Sequence, residues 1–170
     1  MIDSDKFASY CESPIGVLKI EYNGNAITSL VKTSERFEQT DDLPIVVKLK
    51  KELDEYFIGK RKVFDLPLKF NGTKFQEQVW NALLKIPYGE TKTYKDIATA
   101  VGNYKASRAV GMDNNKNNII ILIPCHRVIG SNGKLVGYAG GLEVKEYLLK
   151  LEKKYNWACV QLSTQATFIF

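Results

Sequence analysis

Ile119-Ile120-Ile121-Leu122-Ile123-Pro124-Cys125-His126-Arg127-Val128 is the stretch on which the reading of this chain turns. Five aliphatic residues in a row, mostly β-branched, read as a short strand buried on both faces. Pro124 has no N–H to give to a ladder, so pairing should stop there. A thiol and an imidazole then stand where a rigid core strand ends, and core packing fixes the position of a reactive atom. Two readings fit Cys125. Buried cysteines are commonly inert small hydrophobes. Against that, the chain's one histidine adjoins this cysteine, and Arg127 follows as a cation that would lower a nearby thiol's pKa. Successive residues of an extended chain face opposite ways, so His126 should reach the thiol only through a bend or a bridging water.

The rest of the composition narrows the class. A chain of 170 residues, 45% hydrophobic and 25% charged, makes one domain or two small ones with a real core. No signal-peptide pattern opens it, and no apolar run approaches the roughly 20 residues of a membrane span. The three cysteines, Cys11, Cys125 and Cys159, lack paired spacing, which points to reduced thiols and a cytoplasmic protein. One histidine and no C-x-x-C argue against a structural zinc, and no cofactor motif is present. Residues 1–75 hold twelve basic and twelve acidic side chains, so the whole net charge of +5 lies in residues 76–170. That basic half is either a solvated surface or a footprint for a polyanion such as nucleic acid.

Upstream, Leu18, Ile20 and Tyr22 alternate with polar residues as in a half-buried strand. Asn23-Gly24 suggests a two-residue hairpin turn into a second strand over about 26–31. Residues 32–42 read as a polar loop. Pro44 opens a helix with Val46, Leu49, Leu53 and Phe57 on one face, and Gly59 stops it. Residues 63–70 read as a further strand, interrupted at Pro67. No site chemistry shows in residues 1–70, which look like a small α+β scaffold domain.

A boundary follows at Asn71-Gly72. Thr73 and Gln76 form a capping box for a helix bearing Phe75, Val79, Trp80, Leu83 and Leu84. Thr93 and Asp96 suggest another, with Ile97, Ala98 and Val101 inward. After Gly102, a third helix over about 104–112 turns Ala106, Ala109 and Val110 inward and Tyr104, Lys105, Ser107 and Arg108 outward. Two short helices joined at a glycine read as a helix-turn-helix, a pattern that many non-binding helix pairs share. Its place in the basic half favours nucleic acid. Five glycines between Gly130 and Gly141 describe a close-wrapping loop. A last helix over 142–154 carries the stripe Val144, Leu148, Leu151 and Tyr155, with Glu152 on its flank beside Lys145. The tail, 157–170, carries no motif. The fold class is α+β: a sheet-plus-helix domain over 1–70, then a mainly helical domain over 73–170.

From Thr73 to Glu152 the chain resembles the O6-alkylguanine-DNA alkyltransferases, the suicide methylated-DNA–protein-cysteine methyltransferases of DNA repair. Phe75-Gln76-x-x-Val79-Trp80, Pro87-x-Gly89 with Tyr94, Ser107-Arg108-Ala109-Val110-Gly111, Asn117, Pro124-Cys125-His126-Arg127-Val128, Gly137-Tyr138-Ala139-Gly140-Gly141-Leu142 and Lys145-Glu146 occur in that family's order. The resemblance implies that Cys125 accepts one alkyl group from a flipped guanine and acts once. It makes His126 the base acting through a water, oriented by Glu152. Asn117 steadies the cysteine's turn, and Tyr94 donates to the base and crowds the phosphate. Arg108 fills the vacated stack, while Lys105, Ser107 and Tyr104 join it on the DNA. Val128, Val136, Tyr138 and Ala139 line the guanine pocket. The implied partner is double-stranded DNA carrying O6-alkylguanine, approached from the minor groove by a monomer with no metal or cofactor.

The departures from the family pattern are Asn118 for a frequent proline, Ala139 for a frequent serine, and Asp113 after the recognition helix, expected near passing phosphates. Non-catalytic alkyltransferase-like proteins, which flag lesions, lack the cysteine. Cys125 argues against that alternative.

Overall fold

Alternation and turn chemistry set the first part of the chain. The structure, a computed structural model, describes residues 7–36 and 42–166, with side chains as far as residue 156. Strands β1 (Phe7–Cys11), β2 (Leu18–Tyr22) and β3 (Ile27–Lys32) form an antiparallel sheet in that order. Leu18, Ile20 and Tyr22 all point into the core, as their period of two requires. The strand β1 went unread because its alternation is broken by Ser9, which is buried and donates to Asp42 at 2.5 Å.

The β2–β3 connection is longer than the two-residue turn expected from Asn23-Gly24. The Asn23 Oδ1 accepts the amides of Asn25 (3.0 Å) and Ala26 (2.8 Å), while the Asn23 N–H donates to the Ala26 carbonyl at 3.0 Å, so side chain and backbone close the loop together. Helix α1 (Pro44–Phe57) begins with proline at its first turn and buries Val46, Leu49, Leu53 and Tyr56. Gly59 follows at φ 77, and any side chain there would overlap the Tyr155 ring. The strand expected over 63–70 does not form. Only Leu68 bridges Ile27, because Pro67 breaks any continuous ladder.

Helix α2 (Lys74–Leu83) carries the capping box read from Thr73 and Gln76, closed at 3.2 and 3.0 Å. The short strand β4 (Lys92–Thr93) leads into α3 (Tyr94–Ala100), with a second reciprocal cap between Thr93 and Asp96. Helix α4 (Ser107–Asn115) starts three residues later than expected, so Tyr104 and Lys105 precede it in a turn. Ala109 is exposed and not inward, and α4 turns Val110, Asp113 and Asn114 to the core.

The largest departure is the central stretch. Residues 119–123 are all buried, as expected, but they are not a strand. Ile119 bridges β3 through Leu30, whose amide donates to the Asn118 carbonyl at 2.8 Å. The chain then reverses at Ile121, φ 72, with Leu122 N–H donating to the Ile120 carbonyl at 2.9 Å. A second three-residue turn centres on Pro124 (φ −80, ψ 58), where Cys125 N–H donates to the Ile123 carbonyl at 2.8 Å. Cys125–Arg127 forms one 3-10 turn, and β5 (Val128–Ile129) pairs in parallel with β4. Helix α5 (Leu142–Ala166) runs well past the expected end at 154. Buried apolar residues of β2, β3, α1, the Ile119–Ile123 loop and α5 belong to one cluster, with Phe7 and Cys11 of β1 packed against it.

Candidate active site

Cys125 sits at the first position of the 3-10 turn, fully buried. Three residues converge on it. The Asn117 Nδ2 donates to Sγ at 3.0 Å and to the Ile123 carbonyl at 3.0 Å, while Asn117 Oδ1 accepts the Ile119 amide at 2.9 Å. Asn114, which sequence reading did not single out, donates to the Cys125 carbonyl at 3.3 Å. Lys145 is the cation that acts on the thiol. It reaches inward from α5 to donate to the Val136 carbonyl at 3.0 Å, with the Tyr94 hydroxyl 3.4 Å away. Burial pushes the Cys125 thiol up to about 11, against the downward pull of Asn117 and Lys145. Burial pushes the Lys145 ammonium down to about 8, and the sulphur's charge pulls it back up.

Arg127 does not serve the thiol as expected from its place in the sequence. A 3-10 turn points successive side chains in different directions, and this one aims Arg127 at Glu152. Arg127 Nε meets Glu152 Oε2 at 2.9 Å, and Nη2 meets Oε1 at 2.9 Å. Its Nη1 caps the Ile86 carbonyl at 2.6 Å. The same bend sends His126 to the same carboxylate, with Nε2 at 2.7 Å from Oε1. The other ring nitrogen, Nδ1, is buried with no protein hydrogen-bond partner. Burial lowers the His126 pKa, and Glu152 opposes that shift.

Glu152 is therefore no solvated flank. It is buried, and it accepts further bonds from Gly89 N–H (3.1 Å) and from the Tyr56 hydroxyl (2.7 Å). Burial raises its pKa, but His126 and Arg127 outweigh burial and hold the carboxyl well below the usual range. Gly89 adopts φ 78, and a Cβ there would come within 2.6 Å of Asn156. Tyr56 corrects the expectation that residues 1–70 carry no site chemistry.

The remaining predicted residues fall in two groups. Tyr94 and Tyr138 lie beside the thiol, which raises both phenols' pKa after burial has done so. Tyr94 donates to the Val136 carbonyl at 2.7 Å. Val128 is buried, whereas Val136, 53% exposed, and Ala139 stand at the surface of the glycine-rich loop. Arg108 is exposed on α4, and Tyr104 and Lys105 are exposed in the turn before it, the ammonium 5.7 Å from the ring centroid. Ser107 is half-buried at the first turn of α4. Asp113, expected near passing phosphates, is buried against α2 and accepts from Gln76 at 3.1 Å.

A buried thiol with an amide donor, a cation and a carboxylate-held imidazole can act as a nucleophile whose proton has somewhere to go. Two family models match the chain. That for the 6-O-methylguanine DNA methyltransferase ribonuclease-like domain covers residues 6–70, and that for the same family's DNA binding domain covers 74–154. A methylated-DNA–protein-cysteine methyltransferase of Methanosarcina acetivorans is 50% identical over 147 residues, 83% of this chain and 94% of that one. A crystal structure of Mycobacterium tuberculosis O6-methylguanine methyltransferase superposes with a TM-score of 0.82 at 42% identity, covering 89% and 94% of the two chains. A Mycobacterium tuberculosis OGT structure in complex with DNA gives 0.79 at 44% identity, covering 86% and 92%.

Proposed function

The chain belongs to the 6-O-methylguanine DNA methyltransferase family, and from that premise we propose how its own residues carry out the repair. It is a methylated-DNA–protein-cysteine methyltransferase, it acts on DNA, and it repairs by alkyl transfer to a cysteine. The acceptor is Cys125 and the donor is O6-alkylguanine. The observation that carries this is the buried Cys125 thiol, held by Asn117 beside the His126–Glu152 pair.

With its pKa near 11 the thiol is protonated at neutral pH, so its proton must leave as the new bond forms. Glu152 takes the Nε2–H of His126, which leaves Nδ1 as the basic atom, and a bridging water brings the thiol proton to it. Sulphur attacks the alkyl carbon in line, the S–C bond forms and the C–O bond breaks. The electron pair passes into the purine, which takes up a proton to become guanine. Tyr94 donates to the base as that charge grows, exchanging its bond to the Val136 carbonyl for one to substrate. Glu152 stabilises the imidazolium that forms. No described group is poised to cleave the thioether, so each molecule acts once.

The lesion lies in a duplex, so the guanine must rotate out of the stack. Arg108, exposed on α4, is the side chain that fills the gap, and the approach is from the minor groove. Tyr104, Lys105 and Ser107 contact the backbone. Val128, Val136, Tyr138 and Ala139 form the pocket wall. Residues 1–70 are the scaffold domain and 73–170 the DNA-binding and transfer domain. The protein works as a monomer, and its need for a reduced thiol suits the cytoplasm.

The test is intact-mass measurement after mixing with duplex DNA carrying O6-methylguanine. One methyl per molecule on Cys125, reached without turnover, is the expected result. Repeated turnover, or an unmodified protein with unrepaired DNA, overturns the reading.

A further inference from the structure

Tyr56 lies on α1, in the part of the chain that the family model for the ribonuclease-like domain covers. Its ring is fully buried among Phe57, Phe64 and Tyr88, with centroids 5.4, 5.4 and 6.0 Å away. Phenylalanine would meet that packing demand. The hydroxyl adds one thing, a hydrogen bond of 2.7 Å to Glu152 Oε1. That oxygen is the one that holds His126 Nε2 at 2.7 Å and Arg127 Nη2 at 2.9 Å. Gly89 N–H and Arg127 Nε take the other oxygen.

We propose that Tyr56 is a positioning residue of the transfer reaction, a neutral donor that shares Glu152 Oε1 with His126 and so sets how strongly Glu152 supports His126 as a base. The proposal rests on the reading of His126 as the group that takes the thiol proton. Each donor on a carboxylate oxygen draws off part of its charge, leaving less for the others. The phenol is buried and faces a carboxylate, both of which keep it protonated, so it stays a donor throughout the working pH range. The groups that face His126 are Glu152 and Lys145 from α5, Arg127 from its own turn, and the Glu152-bound Tyr56 from α1. Glu152 raises the imidazole's pKa, while burial, Arg127 and Lys145 lower it. Tyr56→Phe alters none of these charges. It removes one competitor for Oε1, so the bond to a protonated His126 strengthens. The N-terminal half thus supplies one hydroxyl to the relay.

Because the chain has one histidine, its imidazole resonance titrates without ambiguity in untagged protein. Tyr56→Phe should raise the His126 pKa by about half a unit or more. The acid limb of the single-turnover methyl-transfer rate should move up by the same amount. Replacing Tyr56 by 3-fluorotyrosine, a stronger donor of nearly the same shape, should shift both downward, and it keeps the test open if the phenylalanine variant misfolds. A His126 titration that neither replacement moves, or shifts of the opposite signs, overturns the proposal. If the imidazole shifts as expected but the wild-type acid limb does not coincide with its titration, then the assignment of His126 as base fails and the role of Tyr56 on Glu152 stands.

Discussion

Besides a long contact of 3.5 Å to the Ile119 carbonyl, Asn117→Ala removes three hydrogen bonds made by one side chain, and they bear on different quantities. The bond to Cys125 Sγ, 3.0 Å long, acts on the chemistry. Among the influences on the thiol it is the largest that opposes burial. A hydrogen bond to a charged group contributes about 1.5–3 kcal/mol, and this one strengthens as charge gathers on sulphur. At about 1.4 kcal/mol per decade, its loss should slow transfer roughly tenfold to a hundredfold. The other two bonds act on stability. The Ile119 amide and the Ile123 carbonyl are buried, and Asn117 binds both, at 2.9 and 3.0 Å. An orphaned buried amide costs about 1–3 kcal/mol. For a chain of this size each kcal/mol moves Tm by about 2–4 °C, so a fall of several degrees is expected.

The assay is rapid-quench methyl transfer from O6-methylguanine duplex under single-turnover conditions, run well below the variant's melting transition. A thermal melt is recorded alongside. If Tm falls as expected but the rate stays within about threefold of wild type, the amide shapes the turn without stabilising the thiolate, and the energetic argument for Asn117 is wrong.

Other substitutions probe the remaining parts. Cys125→Ser should keep duplex affinity in a gel-shift assay and abolish transfer by intact mass; methyl found on Cys11 or Cys159 would refute the assignment. Arg108→Ala should slow duplex repair about tenfold or more, because an unfilled stack costs roughly 1–3 kcal/mol. Its reaction with the free base O6-benzylguanine, where no stack exists, should hardly change, and equal slowing of both substrates would make the arginine a structural residue. Glu152→Gln tests linkage. The Glu152 pKa is depressed in the fold, so its stabilisation is present above the ordinary carboxylate pKa of about 4.3 and is lost as pH falls below that toward the folded value. Between about pH 6 and pH 3 the wild-type melting temperature should therefore drop further than that of Glu152→Gln, and parallel curves would contradict the shift.

Local chemistry was legible in the sequence wherever neighbours in the chain settle the outcome. Both capping boxes, the helix opened by Pro44 and the alternation of β2 depend on residues a few positions apart, and all form as read. What sequence could not carry was direction. Arg127 follows Cys125, but a 3-10 turn aims it at a carboxylate 25 residues away. Nothing near Tyr56 in the chain marks it as a site residue, since the oxygen it binds lies 96 residues downstream. Glu152 and Lys145 read as flank residues of α5 because a helical stripe marks what is buried by apolar packing, not what is buried by pairing. Lys145 carried one available signal, its place in the family's ordered motifs, but no neighbour in sequence says that it reaches the thiol.

The misread strand shows how such a site is assembled. A run of four isoleucines and a leucine has every local reason to extend, yet Ile121 takes φ 72, where a β-branched residue is strained. Conformations of this kind cost about 1–3 kcal/mol and persist only where surrounding structure over-determines them. Here the surroundings are identifiable. Bonds to Leu30 of β3 fix the entry, since the Leu30 carbonyl accepts the Ile120 amide at 2.9 Å. Asn117 ties Ile119 to Ile123, and full burial of the aliphatic side chains fills both sides of the turn. The β-branched run therefore supplies the buried volume that clamps a tight reversal, while the ladder it would otherwise form is replaced by two three-residue turns. The second of these, at Pro124, ends on the Cys125 amide, so the strain at Ile121 and the position of the sulphur are set by the same few bonds.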